Sequence, residues 1–383
     1  MLLENLANNG SYIYTERYVN QFKKVANEVS LEYCAVSGVD SFKLPHKILT
    51  AKDVDIYLAN PDKEILDKII AGDSVKFFVH PDTIANEEGY QAKTIVEPTS
   101  STRTVLPKGG TFAIKLHLNR RLSRYIRRLT KSSVEHSLKV SSELEKSVGS
   151  CPGSFGYLPE SIGIVYKGIG MIIREMTPRP VAEDKRMLVP LFSLYSRDMN
   201  SEDEPLLVQM IMSKNMEPLD FFIEKIVNPL FVGVSYFITE SGLLLEAHGQ
   251  NVLAELDNEY DITRLIHRDF QSIYIDQEIR NRNGLEKIFT KHIMGEECPK
   301  EVTYSLVYDN FIGNYMLDNF VELIYSCWGI EPETITERIK ESFKLYFDSS
   351  LFHEGCYYML SKGTFNGNDT AVTRYETLPR YRP

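Results

Sequence analysis

The segment Glu246-Ala247-His248-Gly249-Gln250-Asn251 carries the densest chemistry of this chain. It follows the apolar run Leu243-Leu244-Leu245 without a break. A core strand does not ordinarily end in a carboxylate, an imidazole and two carboxamides. Such side chains suit a metal and an anionic ligand. Glu246 and Asn251 offer oxygens, while His248 and Gln250 can donate to phosphate. Further on, Arg268-Asp269 sets another cation beside a carboxylate in a mostly apolar stretch. The plainer reading is a polar turn around one satisfied histidine.

A basic island stands in an otherwise acidic chain. Between Lys115 and Lys131 lie Arg120, Arg121, Arg124, Arg127 and Arg128, with no acidic residue among them. On a helix, Arg120, Arg124, Arg127, Arg128 and Lys131 would share one face, leaving Leu118, Leu122, Ile126 and Leu129 to the other. Like charges at that spacing repel. A solvated face, a nucleic-acid patch and a phosphate or polycarboxylate site all remain open, arginine's planar fork suiting the last. Just upstream, Pro98-Thr99-Ser100-Ser101-Thr102-Arg103-Thr104 has the composition of a loop that wraps phosphate with hydroxyls and backbone N–H groups.

These residues need elements to hold them. The apolar spacing predicts helices over 12–33, 62–70, 119–144, 206–212, 219–237, 308–327 and 332–347. Strands are expected at 75–79, 111–116, 161–173 and 186–194, with a glycine- and proline-bearing loop over 149–160. The acidic segment 197–205 reads as a junction. A mixed first domain (1–200) then meets a helical second domain (201–383), an α+β architecture without repeats.

The 383 residues carry a net charge of −10, which argues against a general nucleic-acid binder. Five scattered cysteines form no C-x-x-C pair, so zinc, iron–sulfur and disulfide frameworks are not expected. The start lacks a basic n-region, and Lys167 interrupts the nearest approach to a membrane span, Ile162 to Ile173. A reduced, cytoplasmic protein with no membrane partner is the expectation. No Walker loop, G-x-G-x-x-G or G-x-S-x-G is present. His267-Arg268-Asp269 imitates the kinase triplet, but Tyr274 stands where a kinase needs asparagine.

The order Ser101-Thr102-Arg103-Thr104, Lys115, Arg127, Glu246-Ala247-His248-Gly249-Gln250-Asn251, Arg268-Asp269 resembles the NRPS-independent siderophore (NIS) synthetases of the aerobactin synthetase type. Val79-His80-Pro81 and Lys362 are similar to further family features, and the likeness covers about residues 75–383. The resemblance implies a hand-like fold in which a mixed fingers domain and a mainly helical palm enclose ATP. It implies adenylation of a carboxylate, citrate or a similar polycarboxylic or keto acid, with release of pyrophosphate. An amine or hydroxyl then displaces AMP. Carried over, Ser101, Arg103, Thr104 and Gln250 bind the nucleotide, and Lys115, Arg127 and His248 contact the phosphates as the catalytic set. Ser123, Arg127 and Lys362 face the acid, and Glu246, Asn251 and Asp269 hold Mg²⁺.

The family's N-terminal thumb is expected to be reduced or absent, with Leu44-Pro45-His46-Lys47 in place of its early His-Pro motif. A partner subunit that completes the site is one expectation, and the resemblance also implies a homodimer. The alternative function is a non-catalytic or partner-dependent subunit that binds nucleotide or carboxylate. A ferric-siderophore reductase is disfavoured by the scattered cysteines.

Overall fold

The computed structural model describes residues 11–19, 29–84, 89–122, 125–152, 155–182, 187–288, 299–365 and 368–383. Its first part is an antiparallel sheet built entirely from residues 42–175. The strands are β1 (Phe42–Thr50), β2 (Asp55–Leu58), β3 (Ile70–Ala71), β4 (Ser74–Phe78), β5 (Gln91–Pro98), β6 (Thr104–Pro107), β7 (Phe112–Leu116), β11 (Glu160–Tyr166) and β12 (Ile169–Glu175). Their spatial order is β2-β11-β12-β7-β6-β5-β1-β4-β3. Val75, Phe77, Val96, Ile114, Ile162, Ile164, Met171 and Ile173 bury one face.

Helix α1 (Ser11–Tyr18) precedes the sheet, and α2 (Lys63–Ile69) starts at Asp62, whose carboxylate accepts from Glu64 N and Ile65 N. Helix α3 (Lys131–Ser147) lies across β11 and β12. Its Val134 and Leu138 cluster with Ile172 and Val165 of those strands. A glycine on the strand makes the close approach possible: a Cβ at Gly163 would overlap Val134 Cγ1 and come within 2.8 Å of Leu138 Cδ2.

The remainder is mainly helical: α4 (Phe192–Tyr195), α5 (Leu206–Lys214), α6 (Pro218–Ser241), α7 (Gln277–Arg282), α8 (Lys300–Ser305), α9 (Asp318–Trp328) and α10 (Pro332–Tyr346). A π-helical stretch, Leu306–Leu317, joins α8 to α9. Among the described residues α6 is long and apolar enough to cross a membrane, yet 61% of its apolar window is buried inside the protein. Its Phe221, Phe222, Phe231 and Phe237 enter the large core shared with α9 and α10. A second sheet, β10-β16-β15-β13, combines β10 (Phe155–Tyr157) and β13 (Met187–Pro190) with β15 (Val252–Leu256) and β16 (Ile262–His267). Three two-stranded antiparallel pairs complete the structure: β8 (Arg121–Leu122) with β9 (Tyr125–Ile126), β14 (Leu243–Leu244) with β17 (Tyr274–Ile275), and β18 (Tyr357–Phe365) with β19 (Asn368–Tyr375).

Several sequence expectations are corrected. Residues 121–122 and 125–126 pair as β8 and β9 in place of the expected helix, so Arg120, Arg127 and Arg128 do not share a helical face; Arg124 lies outside the described residues. The helix begins only at Lys131, where Thr130 Oγ1 caps Ser133 N, and runs to Ser147. Repulsion among the arginines disfavours helix before that cap. The expected strand over 161–173 is two strands, because Lys167 and Gly168 adopt positive φ and turn the chain back. The strand expected over 186–194 ends at Pro190 and gives way to α4. The loop 149–160 contains β10. The helix over 12–33 is confirmed for Ser11–Tyr18, whereas 31–33 form a 3-10 turn and 20–28 lie outside the described residues.

Candidate active site

The E-A-H-G-Q-N segment hangs between β14 and β15. Gly242, at φ 63°, closes α6 and sends the chain into β14. Burial then alternates as on a strand: Leu245 and Ala247 are fully buried, so Glu246 and His248 point the other way, into the cleft. A turn follows, with Asn251 N and Val252 N both donating to His248 O (2.9 and 3.0 Å). The Asn251 amide nitrogen donates to Glu246 O (3.1 Å), which leaves its Oδ1 as an acceptor. Strand β16 returns beside β15, and Arg268 N donates to Asn251 O (2.8 Å). Asp269 therefore lies next to this turn, at a backbone φ of 75°.

The opposite wall comes from the large sheet. The β5–β6 loop is a tight turn with Thr102 at φ 64°. Thr104 N donates to Ser101 Oγ (3.1 Å), and Thr99 Oγ1 donates to Thr104 O (2.8 Å). The buried Arg103 donates to Arg127 O (3.2 Å) and Gln271 Oε1 (2.9 Å). Lys115, on β7 opposite Thr104, is fully buried and bonded to Asp269 across the cleft. Ser101, Thr104, Gln250, Asn251, Arg268 and Asp269 line one cavity of about 10 Å³, room for about one water. A larger hollow of about 700 Å³ beside Arg197, Asp198 and Glu322 lacks this convergence of cations.

Thus the structure brings together Ser101, Thr104, Lys115, Gln250, Asn251 and Asp269. Glu246 and His248 stand beside them, with Oε1 and Nε2 3.8 Å apart. Arg127 joins through its backbone bond to Arg103, and its charge acts on Glu246 and His248. Ser123 lies outside the described residues. Lys362 is on β18, paired with Thr370, and its side chain lies outside them too.

Burial depresses the His248 pKa to about 3, so the ring is neutral at neutral pH. Its Nδ1 accepts from Gln250 N (3.2 Å), which places the proton on Nε2. His248 is thereby a neutral donor aimed into the cleft. Burial, and then the charge of Asp269, raise the Glu246 carboxyl to about 7. Burial would also raise Asp269, but Lys115, Arg174 and Arg103 override it and hold that carboxyl well below the usual range. Among the described residues no group of three or more His, Cys, Asp or Glu is placed to hold a metal. Two mutually repelling carboxylates beside one carboxamide oxygen nevertheless suit Mg²⁺, which takes its other ligands from phosphates and water.

Sequence reasoning missed several residues. Glu160 and Arg174 lie behind Lys115, with Arg174 Nη2 2.6 Å from Glu160 Oε1. Both are charges at the edge of apolar strand runs, the same signal that revealed Glu246. Tyr12 and Glu16 of α1 reach Arg268, the Glu16 carboxylate at 2.6 Å, and Glu16 also accepts from Ser100 N and Oγ. The rings of Phe311 and Tyr315, on the π-helical stretch, pack 6.0 and 6.5 Å from that of His248.

No family model matches the chain. The L-2,3-diaminopropanoate–citrate ligase of Staphylococcus aureus (strain NCTC 8325 / PS 47) is 26% identical over 210 residues, 50% of this chain and 35% of that protein. The match therefore spans about a third of that relative's length. The petrobactin biosynthesis protein AsbB from Bacillus anthracis superposes with a TM-score of 0.65 at 16% identity, covering 84% of this chain and 65% of that one. For the ATP-bound aerobactin synthetase IucA from Klebsiella pneumoniae the TM-score is 0.66 at 15% identity, with 89% and 70% covered. An antiparallel sheet facing a mainly helical half across a cation-lined cleft defines a hand-like α+β scaffold. This chain has the fold of the NIS synthetases, and the aerobactin synthetases stand near it within that fold.

Proposed function

We propose that this chain is an ATP-dependent ligase that adenylates a carboxylate and condenses it with an amine or hydroxyl in siderophore or related natural-product biosynthesis. The observation that carries this reading is the meeting of the Ser101–Thr104 loop, Lys115, the Glu246–Asn251 turn and Asp269 in one cleft, although they come from two different sheets and their loops. Citrate is the first acid to test, because the curated relative is a citrate ligase.

An acid oxygen would bond to the α-phosphorus as the bond to the β-phosphate oxygen breaks, releasing pyrophosphate. The nucleophile would then attack the acyl carbon and expel AMP. Both steps crowd anions together, so the residues' task is electrostatic. Ser101 Oγ, Thr104 and Gln250 would seat the phosphates. Lys115 and Arg127 would offset their charge, and His248 would donate its Nε2 proton in a hydrogen bond. No protein nucleophile is required. Glu246, Asn251 and Asp269 would hold Mg²⁺, which supplies further charge neutralisation of the phosphate chain. The fingers-like part to about residue 200 and the palm from 201 would be joined by the four-stranded sheet, which takes strands from both.

Hydroxamate formation from ATP, Mg²⁺ and hydroxylamine tests the reading. Citrate, 2-oxoglutarate, succinate and the acidic amino acids are offered in turn, with Arg127→Ala alongside. A signal with one acid that disappears in the variant is expected. ATP binding without hydroxamate from any acid would favour the non-catalytic or partner-dependent subunit.

A further inference from the structure

We propose that Arg174 is a third cation of the phosphate site and that Glu160 positions it. The inference rests on the ligase reading above and adds residues to its site.

Strand register places these groups. Ile172 of β12 pairs with Lys115 of β7, and Arg174 pairs with Glu160 of β11. Alternate residues of a strand share a face, so Arg174 emerges on the same side as Ile172, and hence as Lys115. Glu160 joins them from the next strand. The row Glu160, Arg174, Lys115 thus ends at Asp269, which reaches over from the palm.

Glu160, Arg174 and Lys115 are buried, and Asp269 is half-buried. Glu160 has no exposed surface, and its Oε1 lies 2.6 Å from Arg174 Nη2 and 3.5 Å from Lys115 Nζ. Its backbone N donates to Ser141 Oγ of α3 (3.1 Å), which fixes the carboxylate between sheet and helix. Arg174 Nη2 is also 3.7 Å from Asp269 Oδ2. Two cations and two anions balance, yet the guanidinium is incompletely used. Arg174 Nε is buried without a hydrogen-bond partner, and Arg174 lines the same cavity as Ser101, Thr104, Gln250 and Asn251. A buried N–H left without an acceptor is costly, and a planar fork is suited to a phosphate oxygen. An incoming phosphate that draws Lys115 from Asp269 leaves Arg174 to hold Asp269 through Nη2. Nε is then its contact to the nucleotide.

The test is calorimetric binding of Mg·ATP and of AMP to the full chain. Arg174→Gln should weaken Mg·ATP at least tenfold and AMP less than threefold, because the guanidinium serves the phosphate chain. Arg174→Lys preserves a charge for Glu160 and removes the fork. It tests the same point if the glutamine variant fails to fold, with Mg·ATP expected three- to tenfold weaker. Glu160→Gln should shift the ATP-to-AMP ratio in the same direction. Wild-type Mg·ATP affinity in a folded Arg174 variant would overturn the proposal, as would equal losses for ATP and AMP. Lys115→Met separates the two levels. If it loses Mg·ATP while the Arg174 variants do not, the ligase site stands and Arg174 has no part in it. If it too binds normally, the site reading falls as well.

Discussion

Lys115 and Asp269 are bonded to each other across the cleft, one from the large sheet and the other from the loop after β16. Each is a counter-ion of the other. Lys115 is fully buried. Burial lowers its pKa, while Asp269 and Glu160 act to keep it charged. In the proposed reaction the pair separates, the ammonium to phosphate and the carboxylate to the metal.

Lys115→Met should reduce hydroxamate formation more than tenfold. A hydrogen bond to a charged group is worth about 1.5–3 kcal/mol, and each 1.36 kcal/mol is about tenfold in rate. His248→Gln should also reduce it, through loss of the Nε2 donor. Undiminished turnover in both variants would show the site to be wrongly assigned.

Glu16 is a buried anion that joins three parts of the chain: α1, Ser100 and Arg268. Glu16→Ala strands a buried guanidinium, at a cost of about 3–5 kcal/mol. Glu16→Gln retains an acceptor for Ser100 and should cost less. Urea denaturation measures the order, and nucleotide titration should show weaker binding as the loop loses its anchor. Equal stability of the alanine variant and the wild type would refute the role.

His80 makes stability sensitive to acid. Burial lowers its pKa from 6.5 to about 4, against the pull of Asp82. Below pH 6.5 the unfolded chain takes up a proton that the folded chain refuses until about pH 4. Stability therefore falls as pH drops through that window, by about 1.4 kcal/mol per pH unit. His80→Asn retains an acceptor for Asp82 N and cannot titrate. Urea midpoints between pH 4.5 and 7.5 should decline less steeply for the variant, and superimposable profiles would rule the mechanism out.

Gly163→Ala should push α3 off the sheet. The stiff Val134 side chain cannot withdraw, and Leu138 blocks the other direction. Overpacking of this kind costs about 1–3 kcal/mol. A thermal melt detects it, and an unchanged midpoint would mean that the helix adjusts freely.

The palm side of the cleft was readable because Glu246 and His248 break an apolar run with a strand's alternation. The helices beyond 205 were readable too, since each buries a broad apolar stripe. The basic island was misread for a physical reason. Leu118, Leu122, Ile126 and Leu129 fit a helical stripe, but the hairpin is fixed by backbone bonds such as Leu118 N to Arg127 O, which periodicity does not register. Arg174 and Glu160 escaped because a strand-end charge looks alike whether it meets solvent or a neighbouring strand. The contribution of α1 was hidden because its partner Arg268 lies 252 residues away in the chain, a pairing no local pattern reports.

The order in which the ribosome delivers this chain separates its two sheets in time. All nine strands of the large sheet have been made once residue 175 is complete. The four-stranded sheet must wait for β16, because β10 pairs in parallel with it, Phe155 against Leu265. Until then β10 is held by its single bridge from Tyr157 to Arg179, and the Lys115 ammonium stands beside Glu160 without Asp269. The cleft therefore assembles only after the large sheet is complete. During synthesis the large sheet spends the intervening residues with Lys115 and Arg174 lacking the Asp269 carboxylate, an interval in which a chaperone or a bound polyanion would have its greatest effect on yield.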